Sequence, residues 1–202
     1  MSAHASDRRG PGLRVPARLV VIGASAGGLK ALEVILGALP PDFPLPIVIV
    51  QHQHASSGDL LAQILGGRTG LRVKQADEKE EISPGVVYIA PASYHLFIED
   101  DHTFSLSVGP PVSYARPSID VLFESAADAY GAAVVGVVLT GANRDGAEGM
   151  RKIREAGGTT VVEDPATAEV ASMPLSVLEK TAVDEVAPLT RIAEILVDMA
   201  AD

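Results

Sequence analysis

"VVIGASAGGLKAL", residues 20–32, decides the fold. A β-branched aliphatic run, 19–22, stops at Gly23. From Gly28 onward the apolar residues Leu29, Leu32, Ile35, Leu36 and Leu39 recur at helical spacing. Strand, small-residue turn and helix, in that order, open a βαβ unit, and an unbroken apolar strand fits a parallel sheet covered on both faces. The turn itself poses a question. A dinucleotide-binding turn reads G-x-G-x-x-G, and Gly23 and Gly28 match its outer glycines, but Ser25 stands where backbone must approach the pyrophosphate. The acidic residue expected at the next strand end is replaced by Gln51 and His52. The hydroxyl of Ser25, rather than a bound nucleotide, is the feature to explain.

The rest of the chain repeats the opening pattern. Apolar or β-branched runs at 47–50, 71–75, 85–91, 133–141, 159–163 and 182–186 read as strands. Helical patterns cover 28–39, 59–65, 118–130, 145–156, 173–180 and 189–200. Residues 94–100 and 103–108 read as a hairpin joined at "DD". The expected fold is α/β: a doubly wound, mostly parallel sheet flanked by helices, with right-handed crossovers and a small antiparallel hairpin as an insertion or edge. Residues 1–18 read as a flexible leader and 19–202 as a single domain.

Composition narrows the function classes. The chain has 202 residues, 47% of them hydrophobic, which is enough for a real core and excludes a disordered chain. Its net charge of −10 argues against a nucleic-acid partner, whose phosphates call for a basic footprint. There is no cysteine, so disulfides, thiolate catalysis and cysteine-based zinc sites are excluded. No apolar run reaches the ~18–20 residues of a membrane helix, and the first 18 residues lack the apolar segment of a secretory signal. A cytoplasmic location is the expectation.

Ligands of open α/β sheets bind at the carboxyl ends of strands. Ser25 follows the first strand, His52 the second, and Asp145 lies just past the strand that ends near Gly141. A hydroxyl, an imidazole and a carboxylate on one sheet edge make the inventory of a Ser-His-Asp triad. Serine is a weak nucleophile until a base takes its proton. His52 can take it and return it to the leaving group, and Asp145 can set the tautomer of His52. The helix that begins near Ala26 offers backbone N–H groups for an oxyanion, Ala26 foremost. Plainer readings compete. Ser25 can be an N-cap, Asp145-x-x-Glu148 resembles a capping box, and His52 can simply bond to backbone. His52-x-His54 can be a metal pair, although no third ligand stands nearby, so no metal is expected.

Gly23-Ala24-Ser25-Ala26-Gly27 also fits the G-x-S-x-G nucleophile pattern, but the order Ser, His, Asp is not that of an α/β-hydrolase. Instead the chain resembles the catalytic domain of the CheB-type protein-glutamate methylesterases of bacterial chemotaxis. The resemblance is carried in order by "VVIGASAGG" (20–28), "VIVQH" (48–52), "YIAP" (88–91), "RPSIDVLFES" (116–125), "GVVLTGANRDGAEGM" (136–150) and "MP" (173–174). It implies hydrolysis of glutamate methyl esters on the signalling helices of methyl-accepting chemotaxis receptors, with release of methanol, and deamidation of receptor glutamines. It implies Ser25 as nucleophile, His52 as base and Asp145 as orienting acid. Arg116 and Met173 are candidates for the substrate cleft by motif position. No cofactor is implied, and a membrane is met only indirectly, through the receptors. The chain departs from the family pattern at Ala26, where Thr is usual, and at Ala142-Asn143-Arg144, where Met-Gly-Asn is usual. These changes keep open an alternative, a catalytically impaired signalling or binding module of the same fold. Full-length members also carry a phospho-receiver domain ahead of this one. Only residues 1–18 precede the first strand, so the chain is either a fragment of such a protein or a stand-alone esterase under a separate regulator, and the stand-alone form is the expectation.

Overall fold

The computed structural model describes residues 15–53 and 59–201. Most of the expected leader and His54 of the His52-x-His54 pair lie outside the described residues. The strands are β1 (Leu19–Ala24), β2 (Ile47–Gln51), β3 (Arg72–Gln75), β4 (Val86–Ile89), β5 (His95–Ile98), β6 (Phe104–Ser107), β7 (Val134–Val138), β8 (Thr159–Glu163) and β9 (Glu185–Ala187). The helices are α1 (Gly28–Ala38), α2 (Leu60–Gly66), α3 (Ile119–Tyr130), α4 (Ala147–Glu155), α5 (Ser172–Lys180) and α6 (Leu189–Ala201). No helix among the described residues is long and apolar enough to cross a membrane.

Seven strands form one sheet in the order β3-β4-β2-β1-β7-β8-β9, and every pairing in it is parallel. β5 and β6 pair antiparallel as a separate sheet rather than as an edge of the large one. The reason lies in their apolar face. Leu96, Ile98 and Phe104 pack with Ile119, Leu122 and Phe123 of α3, and the N–H of Ile98 donates to Ser125 Oγ at 3.1 Å. The hairpin buries its face on a helix and leaves the sheet edge to β3.

Alternation along β1 divides the core. Val20, Ile22 and Ala24 face the layer of α1, α2 and α6, while Leu19 and Val21 face the layer of α3, α4 and α5. Strands covered on both faces need the continuous aliphatic runs seen in the sequence, and each fully buried Val, Leu or Ile contributes about 1.5–3 kcal/mol. β1 outlasts its aliphatic stretch by two residues, because the ladder to β2 continues through Gly23–Val50 and Ala24–Gln51. β7 stops three residues short of Gly141, although Leu139 N–H still donates to the Gly23 carbonyl at 2.9 Å, and Gly141 N–H donates to the Val170 carbonyl at 3.0 Å. The chain leaves β1 for β2 on one side and reaches β7 on the other, so the crevice where strand order reverses opens at the carboxyl end of β1.

Candidate active site

Ser25 is the first residue after β1. Its N–H donates to the carbonyl of Thr140 at 2.9 Å and its carbonyl accepts from Gly28 N–H at 2.8 Å. The resulting turn puts Gly27 at φ 79°, ψ −6°, a left-handed conformation that disfavours any side chain. Gly27, not Ser25, is the N-cap of α1, and no side chain caps that helix. The hydroxyl is therefore free of a capping role, and Ser25 Oγ lies 3.2 Å from His52 Nδ1. Gln51 locks the pair together. Its Nε2 donates to the carbonyls of Ser25 at 2.9 Å and of His52 at 2.8 Å.

His52 Nε2 lies 2.8 Å from Asp145 Oδ2. Asp145 is fully buried. Besides His52 it accepts from Ile119 N–H (2.7 Å), Asp120 N–H (3.0 Å) and Ser118 Oγ–H (2.8 Å). Burial alone pushes this carboxyl up, but the donors from His52, Asp120, Ile119 and Ser118 outweigh it and hold the group below the ordinary carboxylate value. Asp145 is thus an anion at the N-terminus of α3, where the helix dipole favours it. An ionised Asp145 accepts a hydrogen bond from the Nε2–H of His52, which leaves the lone pair of Nδ1 facing Ser25. The ring lies in the opposite sense to that of the serine-protease triad, in which Nε2 faces the serine.

The capping-box reading of Asp145-x-x-Glu148 fails on this geometry. The N-cap of α4 is Gly146 at φ 98°, with no side-chain cap, and Glu148 pairs with Arg151 and Lys180. Asp145 caps α3 instead, and Asp120 of α3 returns the favour. Asp120 Oδ1 accepts from Gly146 N–H at 2.9 Å and Gly149 N–H at 2.8 Å, at the head of α4. Burial, with the nearby Asp145 charge adding to it, pushes the Asp120 carboxyl up to about 6. A raised value means that the folded protein keeps a proton which the unfolded chain releases near 3.8. This group's contribution to stability therefore falls as the pH rises from about 4 to about 6. Asp120→Asn keeps an acceptor for both N–H groups and removes the charge. Its stability relative to wild type is expected to climb across that window, by up to about 3 kcal/mol. Thermal melts at several pH values test this, and a stability difference independent of pH refutes it.

Behind the serine, Thr140 holds the turn. Its N–H donates to the buried Glu163 Oε2 at 2.7 Å, and its hydroxyl donates to the Ala26 carbonyl at 2.8 Å. Gly141 lies so close that an added Cβ would fall 2.9 Å from Ser25 Cβ and 2.7 Å from Met173 Sδ. Gly141→Ala is expected to displace Ser25 and to lower kcat at least ~10-fold, since small misplacements at a reacting centre are costly. A variant with wild-type kcat would show that the space can be made elsewhere. Met173 itself is fully buried under Gly141. Arg116 engages the carbonyls of Val108 and Gly109 through Nη1, at 2.7 and 2.8 Å.

Two donors remain open beside the serine. Among the described residues, the N–H groups of Ala26 and Gly27 have no hydrogen-bond partner. A cleft of about 550 Å³ adjoins them, lined by Ser25, Gly27, Leu29, Lys30, Glu33 and Gln51. The structure brings the sequence-predicted Ser25, His52 and Asp145 within hydrogen-bond distance of one another in turn, and sequence reasoning missed the residues that hold them: Gln51, Ser118, Asp120, Asn143 and Glu163. Ser118, taken from the sequence as the first residue of the helical pattern 118–130, is the N-cap of α3, which begins at Ile119.

A family model described as CheB methylesterase matches residues 20–196. A relative from Leptospira interrogans in the methylesterase/glutaminase class is 53% identical over 178 residues, 88% of this chain and 92% of that protein. The protein-glutamate methylesterase/protein-glutamine glutaminase of Symbiobacterium thermophilum is 41% identical over 96% of this chain, which spans 54% of it. The crystal structure of the Thermotoga maritima CheB methylesterase catalytic domain superposes with a TM-score of 0.87 at 38% identity, over 92% of this chain and all of that one. Fold and sequence agree, and the chain belongs to the CheB methylesterase family.

Proposed function

We propose that this protein hydrolyses glutamate methyl esters on the helices of methyl-accepting chemotaxis receptors, with Ser25, His52 and Asp145 as its catalytic triad. The observation that carries the reading is the unbroken hydrogen-bonded line from Ser25 Oγ through His52 to the buried Asp145. Ser25 Oγ attacks the ester carbonyl as its proton passes to His52 Nδ1. Asp145, held ionised by four donors, stabilises the imidazolium. The N–H groups of Ala26 and Gly27 receive the oxyanion. Collapse breaks the bond to methoxide, which takes the Nδ1 proton and leaves as methanol. Water, deprotonated at Nδ1, then attacks the acyl-serine and releases the glutamate carboxylate with the serine restored. The same acyl chemistry acts on a glutamine carboxamide, with ammonia as the leaving group.

The test is methanol release from a methylated receptor cytoplasmic domain, with Ser25→Ala beside the wild type. Release that disappears in the variant supports both reaction and nucleophile. Equal release from both refutes the nucleophile, and no release from the wild type refutes the substrate.

A further inference from the structure

We propose that the side-chain amide of Asn143 is a further catalytic group, a donor to the oxyanion formed at Ser25. The inference rests on the esterase reading of the site. Asn143 lies in the loop between β7 and α4, two residues before Asp145. Its Oδ1 accepts from the N–H of Asp145 at 3.2 Å, which fixes the orientation of the amide and turns Nδ2 the other way. Nδ2 lies 3.3 Å from His52 Nδ1, the same atom that Ser25 Oγ approaches to 3.2 Å. With the Nε2 proton engaged by Asp145, Nδ1 has one lone pair, and two donors share it in the resting site.

The reaction breaks this sharing in a definite direction. Once Nδ1 takes the proton of Ser25 it is an N–H donor and can accept nothing. The Asn143 N–H loses its partner at the moment when negative charge appears on the carbonyl oxygen bound next to Ser25 Oγ. Nδ2 also carries a second N–H that has no partner among the described residues. The amide therefore meets the oxyanion more strongly than it meets the bound ester, and only an interaction of that kind accelerates the chemical step. Asn143 would act with the backbone donors of Ala26 and Gly27, so the oxyanion is held from two sides.

The experiment compares wild type, Asn143→Ala and Asn143→Asp in methanol release from the methylated receptor domain. Removal of one oxyanion donor costs about 10²–10³ in kcat. The expected result for Asn143→Ala is a loss of that size with KM changed by less than about 2-fold, the split that marks a group acting in the transition state. Asn143→Asp keeps the acceptor for the Asp145 N–H and lacks the donor, so it is expected not to recover kcat. Wild-type kcat in Asn143→Ala overturns the inference alone, and so does recovery in Asn143→Asp, which would reduce the residue to a prop for the loop. A wild type that releases no methanol, and whose Ser25 takes no organophosphonate label, overturns the esterase reading first and this inference with it.

Discussion

Ser25→Ala and His52→Ala are each expected to lower ester turnover on the order of 10⁴- to 10⁶-fold, with little effect on folding. In the proposed mechanism the two residues act as a unit. Without the hydroxyl there is no nucleophile, and without Nδ1 the hydroxyl keeps its proton. The double variant is accordingly expected to be no slower than either single one, to within about 10-fold. Ser25 is half-buried, and its side chain has no helix to cap, so alanine there removes chemistry and little else. Methanol release and thermal melting on the same preparations check this. A Ser25→Ala variant that melts normally and turns over at the wild-type rate would remove Ser25 from the mechanism.

Asp145→Asn is expected to behave differently, because Asp145 is a structural anion as well as the acid of the proposed triad. The amide offers one oxygen to a site where two oxygens take four donors. Whichever way it turns, the N–H of Ile119 or of Asp120 faces an NH₂ group instead of an acceptor. A buried donor left unsatisfied costs about 1–3 kcal/mol, so the variant should melt measurably lower. His52 also loses the partner that sets its tautomer, and turnover should drop about 10⁴-fold, less than for loss of Ser25 or His52. The pairing of a stability loss with an activity loss separates this variant from Ser25→Ala. Undiminished stability in Asp145→Asn would show that the cap on α3 is dispensable.

Much of this molecule is written locally. The βαβ opening, the order of strands and helices and the hairpin follow from side-chain period and turn residues within windows of a dozen positions, and each element forms close to where those patterns place it. The placement of Ser25, His52 and Asp145 was legible for the same reason: each follows a strand, and strand ends are where an open sheet binds its ligands. Other features depend on which elements become neighbours. The adjacency of β2, β1 and β7 turns three separate strand ends into one site. The resemblance alone suggested cleft positions for Arg116 and Met173, and the fold shows one tied to loop carbonyls and the other packed beneath Gly141.

What the sequence by itself determined is the sheet and the strand ends at which Ser25, His52 and Asp145 stand, because both are coded by composition and period along the chain. What only the tertiary structure decided is how those groups are held and charged. Asp145 looked like a cap for the helix that follows it, and it caps α3 instead, 26 residues upstream. Asp120 and Asn143 sat in ordinary helix and loop positions until the head of α3 met the head of α4 beside the histidine. Hydrogen bonds and buried charges act through space over a few ångströms, and partners 25 to 93 residues apart leave no trace in any local pattern.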